Sequence, residues 1–243
     1  MSDSDAGGRL TREAIVSSAI DIADVEGFDA LSMRKIADRL GVGAMSLYRH
    51  VADKDALLMA MTEEIGARFP YPYGEHAADD PSDDRAAVGG RTWRECVQVA
   101  TDTDWDLYTR HPWVVLAYSS PRHSMGAASL HCLDWMMAGF SQLGVDRVGA
   151  AEMTLTLWSY IQGVALTAVS ADLVRTTGPD QDPARGGLDE VLDGTPPVEP
   201  PPRIADLVGA GRDVGLTDMR RRLDRGVEML CIGFEVVARG ARG

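Results

Sequence analysis

Apolar side chains recur at three- and four-residue steps along most of this chain, the period of an α-helix with one buried face. Over residues 11–27 the recurring set is Ala14, Ile15, Ala19, Ile22, Ala23 and Val25. Thr11 stands before it as an N-cap, Glu13 falls in the first turn, where a carboxylate suits the helix dipole, and Gly27 ends the run. Ser32 caps a shorter stripe of Met33, Ile36, Ala37 and Leu40 that closes at Gly41. Val42-Gly43 makes a tight turn into a third, very short helix over residues 44–50. Asp53 caps a fourth, with Ala56, Leu57, Ala60, Met61 and Ile65 on its apolar face, and Pro70 and Pro72 break it.

Farther along, residues 75–90 are acidic and glycine-containing and read as a loop. A helical pattern resumes at Thr92, runs to Thr109 and is halted by Pro112. A short helix over 113–118, a break at Pro121 and a helix over 124–143 with Gly144 as its C-cap follow. Asp146 can cap the next, which runs to about Leu173 and is apolar on most sides, as expected of a helix in a core or an interface. Residues 176–203 are rich in Gly and Pro and predict a long mobile segment with one helical turn at 188–192. Leu216, Met219, Leu223, Val227, Leu230, Phe234 and Val237 mark a last amphipathic helix. No segment alternates as a strand does, so the fold class is all-α.

The 243 residues fit one large or two small domains, and a mean hydropathy of −0.13 suits a water-exposed globular chain. No apolar run is long enough to span a bilayer, and residues 1–9, polar and expected to be disordered, lack the pattern of a signal peptide. Cys96, Cys132 and Cys231 are scattered, which predicts reduced core thiols and a cytoplasmic protein. The net charge of −13 argues against a general nucleic-acid coat. Residues 32–54 reverse the sign locally: Arg34, Lys35, Arg39, Arg49 and Lys54 stand against Asp38 and Asp53, with His50 beside them. That polarity would confine a polyanion to one end of the molecule.

Helix, glycine turn, short helix at 32–50 is the helix-turn-helix plan, in which the second helix enters the major groove of DNA. Gly41 permits the left-handed residue at the turn, and Ala37 is small where the helices cross. The run from Leu31 to Leu58, with its Ile-Ala-x-x-Leu-Gly-Val turn, its Leu-Tyr-x-His and the helix start at Lys54, resembles the tetracycline-repressor (TetR) family of bacterial regulators. The resemblance covers about residues 9–68, and Trp105–Trp113 and the long loop before the last helix resemble the subgroup of the tetracycline repressors themselves. It implies a DNA-binding domain over residues 1–68 and an effector-binding and dimerisation domain over 69–243. It implies that Arg34 contacts a base. Ala44, Met45 and Tyr48 would lie at bases or thymine methyls, and Ser46, Arg49, His50 and Lys54 at phosphates. Chemistry agrees for Arg34, which can bond O6 and N7 of guanine together, while Ala44 and Met45 offer only apolar contact. Tyr48 could instead pack its ring in the small domain. Lys35 and Arg39 are expected at solvent or phosphate.

Residues beyond 90 are rich in Trp, Met and His, a composition of core or of an apolar ligand cavity. His111, His131, Trp135, Trp158 and Gln162 are the candidate effector contacts, Gln162 because a polar side chain in an apolar helix needs a partner. His123 and His131 are too far apart for a one-turn metal pair, and no frame for a catalytic nucleophile is present, so no metal, cofactor or enzymatic activity is expected. The apolar faces of the 153–169 and 216–237 helices, the latter with Gly226 and Gly233 allowing close approach, predict a homodimer. The expected partners are double-stranded operator DNA, a second copy and a small-molecule effector, with no membrane. The competing reading is a constitutive DNA binder controlled by a protein docking on 176–203.

Overall fold

A computed structural model describes residues 10–72, 83–173, 201–210, 216 and 218–240. Among these the secondary structure is entirely helical. The elements are α1 (Arg12–Glu26), a 3-10 turn (Phe28–Ala30), α2 (Met33–Leu40), α3 (Ala44–Leu47), α4 (Lys54–Arg68), α5 (Asp84–Ala87), α6 (Trp93–Arg110), α7 (Trp113–Tyr118), α8 (Pro121–Ser124), α9 (Ala127–Ser141), α10 (Arg147–Leu173), α11 (Pro202–Ala210) and α12 (Met219–Gly240).

Local chemistry sets most of these limits. Thr11 Oγ1 accepts from the Ala14 amide at 3.2 Å, Ser32 Oγ from Lys35 at 3.2 Å and Asp53 Oδ1 from Ala56 at 2.7 Å. Thr92 and Glu95 form a reciprocal cap: Thr92 Oγ1 accepts from the Glu95 amide and Glu95 Oε2 from the Thr92 amide. Asp146 Oδ1 accepts from Gly149 at 2.8 Å and starts α10.

Helices α1 to α3 pack into a small head whose centre is Ile15, Ala19, Ile36, Ala37 and Leu47. Helix α4 contacts α1 on one side and α7, α8 and α9 on the other, so it belongs to both the head and the body. In the body α10 runs against α6, α7, α9 and α12.

Several expectations need correction. Val25 is 64% exposed, and Val16 and Ile20 share the buried face of α1 instead. The helix expected over 124–143 runs from Ala127 to Ser141, after a turn at Met125-Gly126, and Ser124 ends a separate short helix, α8, at the expected Pro121 break. The 75–90 loop contains the short α5, capped by Asp83. Helix α11 begins at Pro202, inside the segment read as loop, where proline suits the first turn. The tail over 1–9, residues 75–82 of the expected loop, and 176–200 of the expected mobile segment with its turn at 188–192 lie outside the described residues. Gly226 faces inward: a Cβ there would collide with the Tyr160 ring, whose hydroxyl donates to the Arg222 carbonyl, so this glycine serves α10–α12 packing within one chain. Gly233 has open space beside it.

Candidate nucleic-acid interface and ligand cavity

The turn between α2 and α3 is made by Gly41 at φ 67°, ψ 29°, the left-handed region that a Cβ disfavours. Its amide and that of Val42 donate back to the last carbonyls of α2. Leu47 is fully buried and anchors α3 on Ile36 and Ala37. That anchor turns the rest of α3 outward: Met45 is 77% exposed and Tyr48 45%, with Arg49 and His50 exposed beside them. Ala44 and Ser46 are half-buried at the same edge. The helix proper ends at Leu47, so Tyr48, Arg49 and His50 stand on a turn rather than on the helix expected to His50.

The basic residues divide into two groups. Lys35 pairs with Glu26, and Arg39 Nη2 lies 3.5 Å from Asp21 Oδ2; both point back onto α1. Both side chains stay partly in solvent, Lys35 37% and Arg39 44% exposed, as expected, with acids of α1 beside them. Arg34 has only an exposed pair with Asp38 at 3.9 Å, a contact worth little in water. Lys54 Nζ lies 5.7 Å from the centre of the Phe28 ring at the exposed start of α4. Arg34, Arg49 and Lys54 are exposed cations with no carboxylate of α1 beside them among the described residues.

The body holds a cavity of about 210 Å³ between α4, α6, α7, α8, α9 and α10. Its walls include Phe69, Tyr108, Tyr118, Met125 and Trp158. One polar chain crosses it: Trp158 Nε1 donates to Tyr71 Oη at 3.0 Å, and Tyr71 Oη donates to Asp104 Oδ1 at 2.8 Å. Burial pushes the Asp104 carboxyl up to about 7, against a smaller opposing pull from the Tyr71 hydrogen bond. Asp104 keeps some exposed surface, in accord with the cavity it lines. Cys132 also reaches the cavity, and burial pushes its thiol up to about 11, so it stays protonated at neutral pH.

Of the residues expected at a ligand, Trp158 and Gln162 line this cavity. Gln162 Nε2 donates to the Val115 carbonyl at 2.9 Å and reaches Ser119 Oγ at 3.3 Å, so backbone satisfies it. The other three stand elsewhere. Trp135 is fully buried, with its indole N–H on the Pro72 carbonyl, and it acts as core. His111 Nδ1 faces both oxygens of Asp24 at 2.9 and 3.0 Å, at the joint between head and body. His131 lies on the exposed side of α9. Sequence reasoning passed over Tyr71 and Asp104. The signal for Asp104 was present: it falls on the stripe of Val97, Ala100, Thr101 and Tyr108, where a charge is out of place.

Two carboxylates tie the head side to the body. Asp24 on α1 accepts from Trp113 Nε1 at 2.8 Å as well as from His111. Asp55 on α4 lies 2.9 Å from both His123 Nε2 and Arg122 Nη2. Farther along α4, Glu63 Oε1 accepts from the Ala128 amide at 3.2 Å, and the Gly66 backbone lies so close to α9 that a Cβ would sit 2.9 Å from that of Ala128. One end of α4 thus carries Lys54, and the other lines the cavity with Gly66.

Residues 15–61 match the family described as bacterial regulatory proteins, tetR family. The chain is 31% identical over 164 residues to the class A tetracycline repressor protein of Escherichia coli, covering 68% of this chain and 69% of that one. It is 30% identical over 156 residues to the HTH-type transcriptional repressor DrrR1 of Streptomyces coeruleorubidus, 64% of this chain and 53% of DrrR1, so it spans about half the length of that relative. Its fold matches the TetR family protein ActR of Streptomyces coelicolor, solved in complex with actinorhodin, with TM-score 0.70, 25% identity and coverage of 93% of this chain and 96% of that one. No described helix is long and apolar enough to cross a membrane.

Proposed function

Because the chain belongs to the tetR family of bacterial regulatory proteins, a family of regulators and not of enzymes, we propose that it represses transcription by binding operator DNA and is released by a small molecule. The observation that carries the reading is the open edge of α3 joined through a single helix, α4, to an unfilled cavity. Residues 1–68 act as the DNA-binding unit and 69–243 as the effector and dimerisation unit. Two copies bind a palindromic operator, because one four-residue recognition helix reads too few base pairs alone. Exposed apolar side chains support the pairing: Val148 and Leu166 on α10, and Met229, Ile232 and Val236 on α12. The ligand complex of ActR supports a small molecule over a protein as the regulator, and so does a cavity that the chain's own side chains leave open.

In this reading Arg34 and Met45 meet base edges, with Ala44 and Tyr48 beside them. Ser46, Arg49, His50 and Lys54 hold phosphates. Helix α4, about 22 Å long at 1.5 Å per residue, acts as a lever. A ligand against Gly66 and Phe69 displaces the cavity end, and the other end re-aims the recognition helices away from successive grooves.

Arg34→Ala is expected to weaken operator binding by about 1–3 kcal/mol and to relax specificity at one base pair per half-site. Lys54→Ala is expected to weaken all duplexes alike and to reduce the salt slope by about one charge per subunit. Both are read by anisotropy titration of an operator recovered from random duplexes. Normal binding by both variants, or an effector that fills the cavity and leaves operator affinity unchanged, would overturn the reading.

A further inference from the structure

The cavity lining is electrostatically one-sided. Among the described residues Asp104 is its only carboxylate, and no described lysine, arginine or histidine lines it. An ionised carboxylate offers about four lone-pair directions, and the Tyr71 hydroxyl fills one of them. The Trp158 indole N–H that could have supplied another donates to Tyr71 instead, which fixes the Tyr71 proton toward Asp104. A buried charge with one neutral donor is poorly compensated, and the upward displacement of this carboxyl to about 7 is the consequence. The rest of the lining mixes the rings of Phe69, Tyr108, Tyr118 and Trp158 with aliphatic side chains and the neutral polar groups of Ser124, Ser129, Ser159 and Gln162. Ring faces attract both flat hydrocarbon and positive charge.

We infer that the ligand is an organic cation, a flat aromatic body carrying a protonated amine, with the ammonium placed as counter-ion to Asp104 and the rings held between Trp158 and the tyrosines. This rests on the reading that the cavity is the effector site and adds the chemical class of what enters. The amine supplies two or three strong donors where the carboxylate has acceptors to spare. The volume bounds the size. An engineered apolar cavity of about 150 Å³ holds benzene; this one, at about 210 Å³, admits a two-ring compound. Asp104 here is a binding residue, and Tyr71 positions it.

Three probes of one shape test the assignment on the full chain by calorimetric titration: 1-naphthylmethylamine, which is protonated, 1-naphthalenemethanol, which is neutral, and 1-naphthoate, an anion. At pH 8 the amine is expected to bind at least about tenfold tighter than the alcohol, the size of one charge-assisted hydrogen bond, and naphthoate weakest of all. In Asp104→Asn the amine should lose that advantage while the alcohol binds within about threefold of its original affinity, which also shows that the variant is folded. As the pH falls through about 7, the amine's advantage in the unaltered protein should shrink, because Asp104 then takes up a proton that the amine must displace. Equal binding of amine and alcohol, or a preference that survives in Asp104→Asn, overturns the charge assignment and leaves the cavity as the effector site. Binding by none of the three overturns both.

Discussion

Asp24→Ala is expected to destabilise the protein by about 3 kcal/mol, far out of proportion to one surface-proximal carboxylate on a helix. The cost arises in what is left behind. Trp113 is 1% exposed, and its indole N–H has Asp24 Oδ1 as its acceptor at 2.8 Å. The His111 ring, 14% exposed at its side chain, holds its Nδ1 against the same carboxylate. Removing Asp24 orphans two largely desolvated donors, at about 1–3 kcal/mol for each group that finds no water. Asp21→Ala, three residues away, is the control. Asp21 makes only the exposed 3.5 Å pair with Arg39, so its loss should cost under about 1 kcal/mol. Urea unfolding of both variants makes the comparison. A double variant with Trp113→Phe should be less destabilised than the sum of the single ones, since each removes one side of the same bond. Equal, small effects at positions 21 and 24 would mean that the Asp24 contacts do not hold the head to the body.

This joint was hidden in the sequence, whereas the head itself was legible. The head is built from contacts close along the chain. Caps such as Ser32 and Asp53, the stop at Gly41 and the Ile36–Leu47 anchor all lie within a few turns of one another, and local chemistry sets them. Helices α6, α7, α10 and α12 were readable for the same reason. Side-chain partners across long separations were not. Asp24 and His111 are 87 residues apart, as are Tyr71 and Trp158, and nothing in periodicity joins them. The aromatic and histidine richness of the body pointed toward a cavity, but composition does not say which side of a helix faces it. Trp135 and Trp158 look alike in sequence; one closes the core and the other lines the cavity. The same limit explains Gly226. Read as a small residue for approach by a second copy, it is filled by Tyr160 of its own chain, while Met229 and Ile232 on α12 stay exposed.

The pH dependence of stability should differ between the protein and Asp104→Asn, and in a direction opposite to that of an ordinary paired carboxylate. Paired acids have lowered pKa values and lose their contribution as the pH falls. Asp104 is raised, from 3.8 to about 7, by burial. The folded state therefore holds a proton that the unfolded chain has already released between pH 4 and 7. Below about pH 4 both states are protonated and Asp104 adds no penalty. As the pH rises to about 7, ionisation favours the unfolded chain and stability falls; above that the penalty is constant. Three pKa units set an upper size of about 4 kcal/mol, and water entering the cavity reduces it, so on the order of 2–4 kcal/mol is expected at pH 8. Asparagine keeps the shape and can accept from Tyr71, and it does not titrate. The variant should match the unaltered protein near pH 4 and exceed it at pH 8, with the difference opening across that window in denaturant melts. A constant difference at every pH would mean that Asp104 is solvated as well in the fold as outside it. A cationic ligand removes the same penalty by supplying the missing charge. It should raise the melting temperature of the unaltered protein more at pH 8 than at pH 5, and that of Asp104→Asn equally at both, because only the carboxylate gains a partner that the fold withholds.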